Sequence, residues 1–402
     1  MADTIALFDL DGVCVQPGGY RAAVYQSIDY FFNRFNLPQY IPSREIPAIF
    51  ESIGITSEWD MIALTIAILF ETIAKENPAL FASAKDLNLK FPASGENRLE
   101  IPYSEKISRL SHYLQHGMSP SDSVYQACRS DPVQSPFPNL ARTPILQPLL
   151  GHTREIQKSE ITRYFQNLVL GDKIFQETYG IPAIVMTESY LKLYDQPLIS
   201  LPTQRKLKDL VQSGKLAISF MTARPSYQPK EIAEKVEGNT PEAEMAMDLI
   251  GFSEYPLLGY GKLRYLASIL SADAESFLKP SPIQALAAIA AAITNNEIKS
   301  LQWAERLVNC QGNLPPELNE WMEQWLPPYL RLHIFEDSLV GIQSVRSAKR
   351  WLEGLGRQVD EYAWGISRDS VKINALLKQG AQVVEDVNAG INRAFPQSQP
   401  FS

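Results

Sequence analysis

The chain has 402 residues, more than a single hydrophobic core usually supports, so we expect two compact units or one domain with a large insertion. Its 45% of hydrophobic and 20% of charged residues are ordinary for a globular protein and exclude a disordered or fibrous class. The net charge of −8 leaves no basic surplus for nucleic acid, and the three cysteines match neither a disulfide framework nor a zinc site.

The N-terminus and the apolar segments predict neither export nor a membrane anchor. Acidic residues directly follow the first apolar run, whereas a signal peptide starts with basic residues and has a longer apolar stretch. The longest apolar stretch, near residues 61–70, is too short to cross a bilayer. We therefore expect a cytoplasmic protein that binds neither nucleic acid nor a membrane.

The first predicted element is a buried strand at residues 4–10, because a short apolar run stops there at acidic residues. From about residue 21 to residue 194 the pattern is mainly helical, with helices predicted at residues 20–35, 59–74 and 159–179. The polar, proline-containing stretch 119–148 disfavours helix. We assign residues 21–194 to an inserted helical domain, and residues 1–20 with 195–402 to a core domain.

Strands and helices alternate after the insertion. Helices are predicted at residues 203–213, 229–236, 262–270, 282–294 and 370–379. Strands are predicted at residues 216–221, 330–335, 362–366 and 382–384, and at 256–258 in preference to the apolar run 248–252. Residues 295–328 are expected to be a polar connection. The alternation predicts an α/β fold, a parallel sheet with helices on both faces and functional sites at the carboxyl ends of its strands.

Two aspartates stand where the first strand ends. Asp9 and Asp11 are two positions apart, so both side chains leave the same side of the strand, and Gly12 allows the backbone to turn away. Carboxylates so close repel each other, and a divalent cation is the simplest way to stabilise them. The alternative is an acidic turn that merely ends a strand. The four-residue pattern Asp9-Leu10-Asp11-Gly12 arises by chance in roughly a tenth of chains this long.

Potential phosphate-binding groups follow later in the chain. The second predicted core strand ends at Thr222, Ala223 and Arg224, which offer a hydroxyl, backbone amides and a guanidinium. Taken alone, Thr222 fits an ordinary helix cap better than a phosphate ligand, at roughly two to one from the residue preferences of caps. Lys279 precedes an alanine-rich helix and supplies a positive charge, although a lone lysine in this position is usually solvated.

A second acidic pair, Glu336 and Asp337, ends the strand predicted at residues 330–335. Carboxylate oxygens are the hard ligands that Mg²⁺ prefers. Each of the four groups is weak evidence by itself. Their occurrence at the ends of successive strands, with complementary charge, is much harder to obtain by accident.

In this order the four groups resemble the motifs of the haloacid dehalogenase superfamily, most closely its phosphatase and phosphomutase branch. The matching segments are residues 8–13, 221–225, 279–282 and 335–338 with Gly341. The resemblance covers the N-terminal segment and the region after about residue 198. It implies a Rossmann-like parallel-sheet core with a large, mostly α-helical cap inserted after the first motif.

The resemblance also implies site residues and a cofactor. Asp9 would be the nucleophile that forms an aspartyl-phosphate, and Asp11 the general acid and base. Phosphate would be bound by Thr222, Ala223, Arg224 and Lys279, and Mg²⁺ by Asp9, the carbonyl of Asp11, and Asp337 with or without Glu336. The expected enzyme is a Mg²⁺-dependent phosphatase, whose partner is a small phosphorylated metabolite, a phosphate monoester.

Two other functions remain open at this stage. A phosphomutase would return the phosphoryl group to a sugar instead of to water, and the motif with Glu336 and Asp337 does not separate it from a phosphatase. A non-catalytic binding protein would keep the fold and use the helical insertion for a partner, although the complete set of motifs counts against it.

Overall fold

The computed structural model describes residues 2–92, 99–234, 236, 238–310 and 314–396. The chain divides into two compact units. We call Met1–Pro17 with Asp195–Ser402 the core unit, and Gly18–Tyr194 the helical unit.

The core unit is built on a parallel sheet. Its strands and the two short strands beside it are β1 (Thr4–Phe8), β2 (Val15–Gln16), β3 (Gln196–Pro197), β4 (Ala217–Met221), β5 (Leu257–Leu258), β6 (Tyr329–Glu336), β7 (Gln358–Ile366) and β8 (Gln382–Val384). The six-stranded sheet has the order β5-β4-β1-β6-β7-β8, and each neighbouring pair is parallel. Numbered along the chain, this is the doubly wound order 3-2-1-4-5-6. The α/β fold class with a Rossmann-like core is confirmed.

The central strand β1 is buried on both faces. Ile5 and Leu7 belong to the apolar cluster on one face, and Ala6 and Phe8 to the cluster on the other. Alternate residues of a strand point to opposite faces, so a continuous apolar run can serve both. This explains why the strand continues as an unbroken apolar run after Thr4.

The helical unit consists of helices and connecting segments within its described residues. Its α-helices are α1 (Gly19–Arg34), α2 (Ile46–Ser52), α3 (Glu58–Glu76), α4 (Tyr103–Leu110), α5 (Pro120–Ser130), α6 (Leu146–Leu150), α7 (Glu160–Leu170), α8 (Asp172–Tyr179) and α9 (Tyr190–Tyr194). Short 3-10 helices lie at Pro38–Tyr40, Pro78–Phe81, Ser111–Tyr113 and Leu140–Arg142. The expected helical character of this insertion is therefore present.

The remaining helices belong to the core unit. They are α10 (Leu201–Gln212), α11 (Glu242–Leu249), α12 (Tyr260–Leu270), α13 (Pro282–Thr294), α14 (Glu297–Asn309), α15 (Pro316–Trp325), α16 (Leu339–Gly354), α17 (Ser370–Lys378) and α18 (Val387–Ala394), with a 3-10 helix at Ala274–Phe277. The alanine-rich helix α13 is almost wholly buried. No described helix in either unit combines the length and apolar character needed to span a membrane.

Two loop predictions were wrong because helix starts were missed. Residues 119–148 contain α5, for which Ser119 is the N-cap and Pro120 the first residue, a position where proline is well tolerated. Residues 295–328 contain α14, capped by Asn296, and α15. Trp303 and Trp321 stack between them with ring centroids 4.5 Å apart, so the aromatic residues of this segment form a helix contact.

Two helix predictions were also wrong. The described part of residues 229–236 forms turns and irregular backbone. The side-chain amide of Gln228 donates to the carbonyls of Ile232 and Glu234, which in a helix would accept from backbone N–H groups. The helix predicted at 159–179 is interrupted at Gly171, which has φ +78°. A Cβ there would lie 2.6 Å from the backbone nitrogen of Ser189, so this backbone requires glycine.

The chain leaves and re-enters the core unit at neighbouring positions. Strands β2 and β3 pair antiparallel, with Val15 opposite Pro197 and Gln16 opposite Gln196. Paired residues in such strands lie only about 5 Å apart, the separation that a short hairpin loop bridges.

We predict that the core unit folds when Gly18–Tyr194 is replaced by a Gly/Ser linker of about four residues. Because the linker ends already lie side by side, closing the chain should cost little entropy. The truncated protein should be soluble and unfold in one cooperative transition by circular dichroism. The same linker inserted before Gly18 in the full chain is the control. A soluble truncation without cooperative unfolding would contradict the prediction.

Candidate active site

The carboxyl ends of three neighbouring strands meet at one cavity of the core unit, of about 750 Å³. Asp9 follows β1, Thr222 follows β4, and Asp337 follows β6. All three line the cavity, together with Asp11 and Lys279. Because β1 lies between β4 and β6, the parallel topology brings residues distant in sequence to one edge of the sheet.

Lys279 forms a buried ion cluster with two of the acids. Its ammonium lies 2.8 Å from Oδ1 of Asp9 and also contacts Oε1 of Glu336. The side chains of Lys279 and Asp9 are 9% and 12% exposed, and that of Glu336 is fully buried. The sequence alone left Lys279 as a possible surface residue, and the structure places it at the centre of the site.

Burial and charge act on the acid and base in this cluster. Burial, and then the carboxylate of Glu336, raise the pKa of Asp9 well above its ordinary value, and Lys279 opposes this. Burial alone would lower the pKa of Lys279, but Asp9 and Glu336 outweigh that effect and raise it. Lys279 is therefore a permanent positive charge beside Asp9.

Glu336 and Asp337 have different surroundings. One oxygen of Glu336 contacts Lys279, and the other accepts hydrogen bonds from the backbone nitrogen and hydroxyl of Ser338 at 2.9 and 2.8 Å. Asp337 lines the cavity and lies 2.6 Å from the ammonium of Lys372. Burial raises the pKa of Asp337, whereas Lys372 lowers it. Glu336 thus orients Lys279, and Asp337 is the accessible acid of the pair.

The donor set fits a divalent cation. Asp9, Glu336 and Asp337 each offer a carboxylate oxygen, and these atoms lie within 4.8 Å of one another. Such hard oxygen donors suit Mg²⁺. Asp9 and Asp337 would hold the ion, because both oxygens of Glu336 already have partners. The carboxylate of Asp11 is bound by Arg224. The backbone carbonyl of Asp11, which the sequence prediction assigned to the metal, is a separate group.

Gly12 makes room for Asp337. A Cβ at Gly12 would lie 2.7 Å from Oδ2 of Asp337, and Gly12 has φ +75°, a conformation that other residues rarely adopt. The glycine after the two aspartates is therefore required both by the turn and by the approach of the second acidic motif.

Thr222 and Ala223 line the cavity at the end of β4. The hydroxyl of Thr222 accepts a hydrogen bond from the backbone nitrogen of Arg224 at 3.1 Å. The backbone carbonyl of Thr222 accepts one from the side-chain amide of Gln284 at 3.0 Å. The next helix begins only at Glu242, so the alternative that Thr222 is a helix cap is wrong. Its hydroxyl and the neighbouring backbone remain suited to bind an oxyanion.

The side chain of Arg224 differs from the sequence expectation. Its Nε lies 2.9 Å from both carboxylate oxygens of Asp11, and its Nη1 lies 3.0 Å from Oδ2 of Asp195. The guanidinium therefore binds two carboxylates instead of extending into the cavity as a phosphate ligand. Nothing in the sequence marked Asp195, which follows the helical unit, or Lys372 as part of this region.

The comparisons with known proteins bear on the fold. No protein-family model and no characterised protein sequence matches the chain. The X-ray structure of a Northeast Structural Genomics Consortium target, ZR25, is 14% identical and aligns over 96% of this chain and 98% of its own, with a TM-score of 0.62. The phosphatase Tt82 from Thermococcus thioreducens, also 14% identical, aligns over 98% and 100% with a TM-score of 0.48. The first likeness shows a shared fold.

We predict that Gly341→Ala destabilises the protein by about 2 kcal/mol, although alanine is the better helix former. A Cβ at Gly341 would lie 1.7 Å from Oε1 of Glu336, which Lys279 and Ser338 hold in place. The control is Gly354→Ala in the same helix, where no atom lies within 4 Å of the added Cβ. Chemical denaturation should find the control unchanged or more stable. Equal effects of the two substitutions would show that Glu336 is not held rigidly.

Proposed function

We propose that the protein is a Mg²⁺-dependent phosphatase of the haloacid dehalogenase superfamily, which hydrolyses a small phosphorylated metabolite at Asp9. The observation that supports this most strongly is the ion cluster at the cavity, where Lys279 lies 2.8 Å from Asp9. It supplies a nucleophile beside a permanent positive charge, as phosphoryl transfer requires. Thr222 and Ala223 provide a hydroxyl and backbone for phosphate oxygens.

The reaction would proceed in two steps on the chain's own groups. A carboxylate oxygen of Asp9 attacks phosphorus, the bond from phosphorus to the ester oxygen breaks, and Asp11 donates a proton to that oxygen. Water then attacks the aspartyl-phosphate, Asp11 takes the proton from water, and the bond from phosphorus to Asp9 breaks to release phosphate. Lys279 balances the negative charge of the phosphoryl group in both steps. The bound cation would add Lewis-acid stabilisation of that charge.

Asp337 and Asp9 are the residues that would hold the ion, with the Asp11 carbonyl. Asp337 lies beside Lys372, so part of the positive charge at this carboxylate is already supplied by the protein. The carboxylates of Asp9, Glu336 and Asp337 outnumber the ammonium groups of Lys279 and Lys372 that contact them. A divalent cation would offset this excess.

We infer that the helical unit serves as the cap that selects the substrate. The groups of the proposed reaction all belong to the core unit, and the insertion separates Asp11 from Thr222 in the sequence. Binding energy from the non-reacting part of a substrate raises specificity without changing the chemistry. The truncated core described above should therefore still hydrolyse an aryl phosphate and lose its discrimination among phosphorylated metabolites.

Asp9→Asn tests the nucleophile. The amide keeps the shape of the side chain but cannot attack phosphorus, so turnover of a generic aryl phosphate should fall at least a thousandfold, about 4 kcal/mol of barrier. The control is Asp209→Asn, on the exposed side of α10. Unfolding midpoints should show that both variants are folded. More than a tenth of the activity in folded Asp9→Asn would exclude this nucleophile. If the wild type, given a sugar phosphate, produced an isomerised sugar phosphate without releasing phosphate, it would be a mutase.

The metal prediction uses binding and activity together. Mg²⁺ should bind the EDTA-treated wild type in isothermal titration calorimetry, and Asp337→Asn should lose most of that heat because a hard ligand is gone. Glu385→Gln, which changes another acid of the cavity wall, is the control. EDTA should abolish hydrolysis and Mg²⁺ should restore it. Full activity in EDTA, or restoration by Zn²⁺ and not Mg²⁺, would contradict the proposed site.

A further inference from the structure

Arg224 connects two carboxylates that are 184 positions apart in the sequence. Its Nε lies 2.9 Å from each oxygen of Asp11, and its Nη1 lies 3.0 Å from Asp195. The side chains of Arg224 and Asp195 are each 2% exposed, whereas that of Asp11 is 35% exposed and faces the cavity. The guanidinium that holds Asp11 is therefore buried and is not part of the cavity lining.

The backbone around Arg224 is itself fixed. Its nitrogen donates to the Thr222 hydroxyl at 3.1 Å, and its carbonyl accepts from the backbone of Tyr260 at 3.0 Å. The next residue, Pro225, accepts from the backbone of Ala243 at 2.9 Å. A planar guanidinium on such a support fixes both the distance and the plane of a carboxylate, which an ammonium cannot do.

We propose that Arg224 is a positioning residue, which aims the carboxyl group of Asp11 at the reacting oxygen, and that Asp195 holds Arg224 for this task. The inference rests on the phosphatase proposed above. Arg224 acts through Asp11, because the guanidinium of Arg224 binds two carboxylates and does not bind the phosphate. The orientation of the proposed acid and base therefore depends on a residue that follows β4.

Loss of Arg224 should lower kcat/KM more for some substrates than for others. Alkyl phosphates have poor leaving groups that need a proton, whereas 4-nitrophenyl phosphate leaves easily without one. Arg224→Met should lower kcat/KM by about a hundredfold for an alkyl phosphate and only a few-fold for 4-nitrophenyl phosphate. Arg224→Lys should give an intermediate loss. Arg205→Met, which changes an exposed arginine of α10, is the control for the substitution.

A double-mutant cycle separates positioning from phosphate binding. In an Asp11→Asn background, Arg224→Met should cause no further loss of kcat/KM, since the group it positions is already gone. The inhibition constant of inorganic phosphate should stay within about twofold of the wild-type value in Arg224→Met, because the arginine does not contact the phosphoryl group. Additive losses, or phosphate inhibition weakened tenfold or more, would show that Arg224 binds phosphate and would overturn the inference.

A second variant serves as the control for loss of folding. Arg224→Met leaves the buried Asp195 without its guanidinium, which can destabilise the protein. Arg224→Met with Asp195→Asn removes that uncompensated charge and should show the same preference for the aryl ester. Equal losses on both esters in this folded double variant would overturn the inference. A folded wild type inactive on every ester would instead refute the phosphatase, and the positioning role with it.

Discussion

The arrangement of the site depends on one buried ammonium. Without Lys279, the carboxylates of Asp9 and Glu336 would share a buried region with no compensating charge, which a protein interior does not tolerate. The Coulomb attraction of the ammonium outweighs its own desolvation, as the raised pKa of Lys279 indicates. The same charge that permits the acids to be gathered there is the one that a phosphoryl group would meet.

The sheet supplies the geometry for this cluster and glycines supply the space. Strand β1 lies between β4 and β6, so the residues after these strands meet although the sequence separates them widely. Gly12 allows Asp337 to approach the first strand, and Gly341 leaves room for Glu336. Each glycine serves a carboxylate from the acidic pair. Adding a methyl group at either position would displace one of these carboxylates.

A second ion cluster consists of Asp11, Arg224 and Asp195. In the first cluster one cation bridges a cavity acid, Asp9, and a buried acid, Glu336. In the second, one cation likewise bridges a cavity acid, Asp11, and a buried acid, Asp195. The two aspartates of the first motif thus receive separate cationic partners. Under the proposed mechanism, this division suits their different tasks as nucleophile and as acid and base.

The sequence by itself determined the α/β class, most strands and the four groups that approach the cavity, because short apolar runs and strand ends are local features. It also indicated Asp9, Asp337 and Lys279 by their order along the chain. Only the tertiary structure decided that Glu336 orients Lys279 and that Arg224 turns to Asp11 and Asp195. These depend on side chains from distant segments competing for the same charged or apolar partner, and local patterns carry no record of that competition.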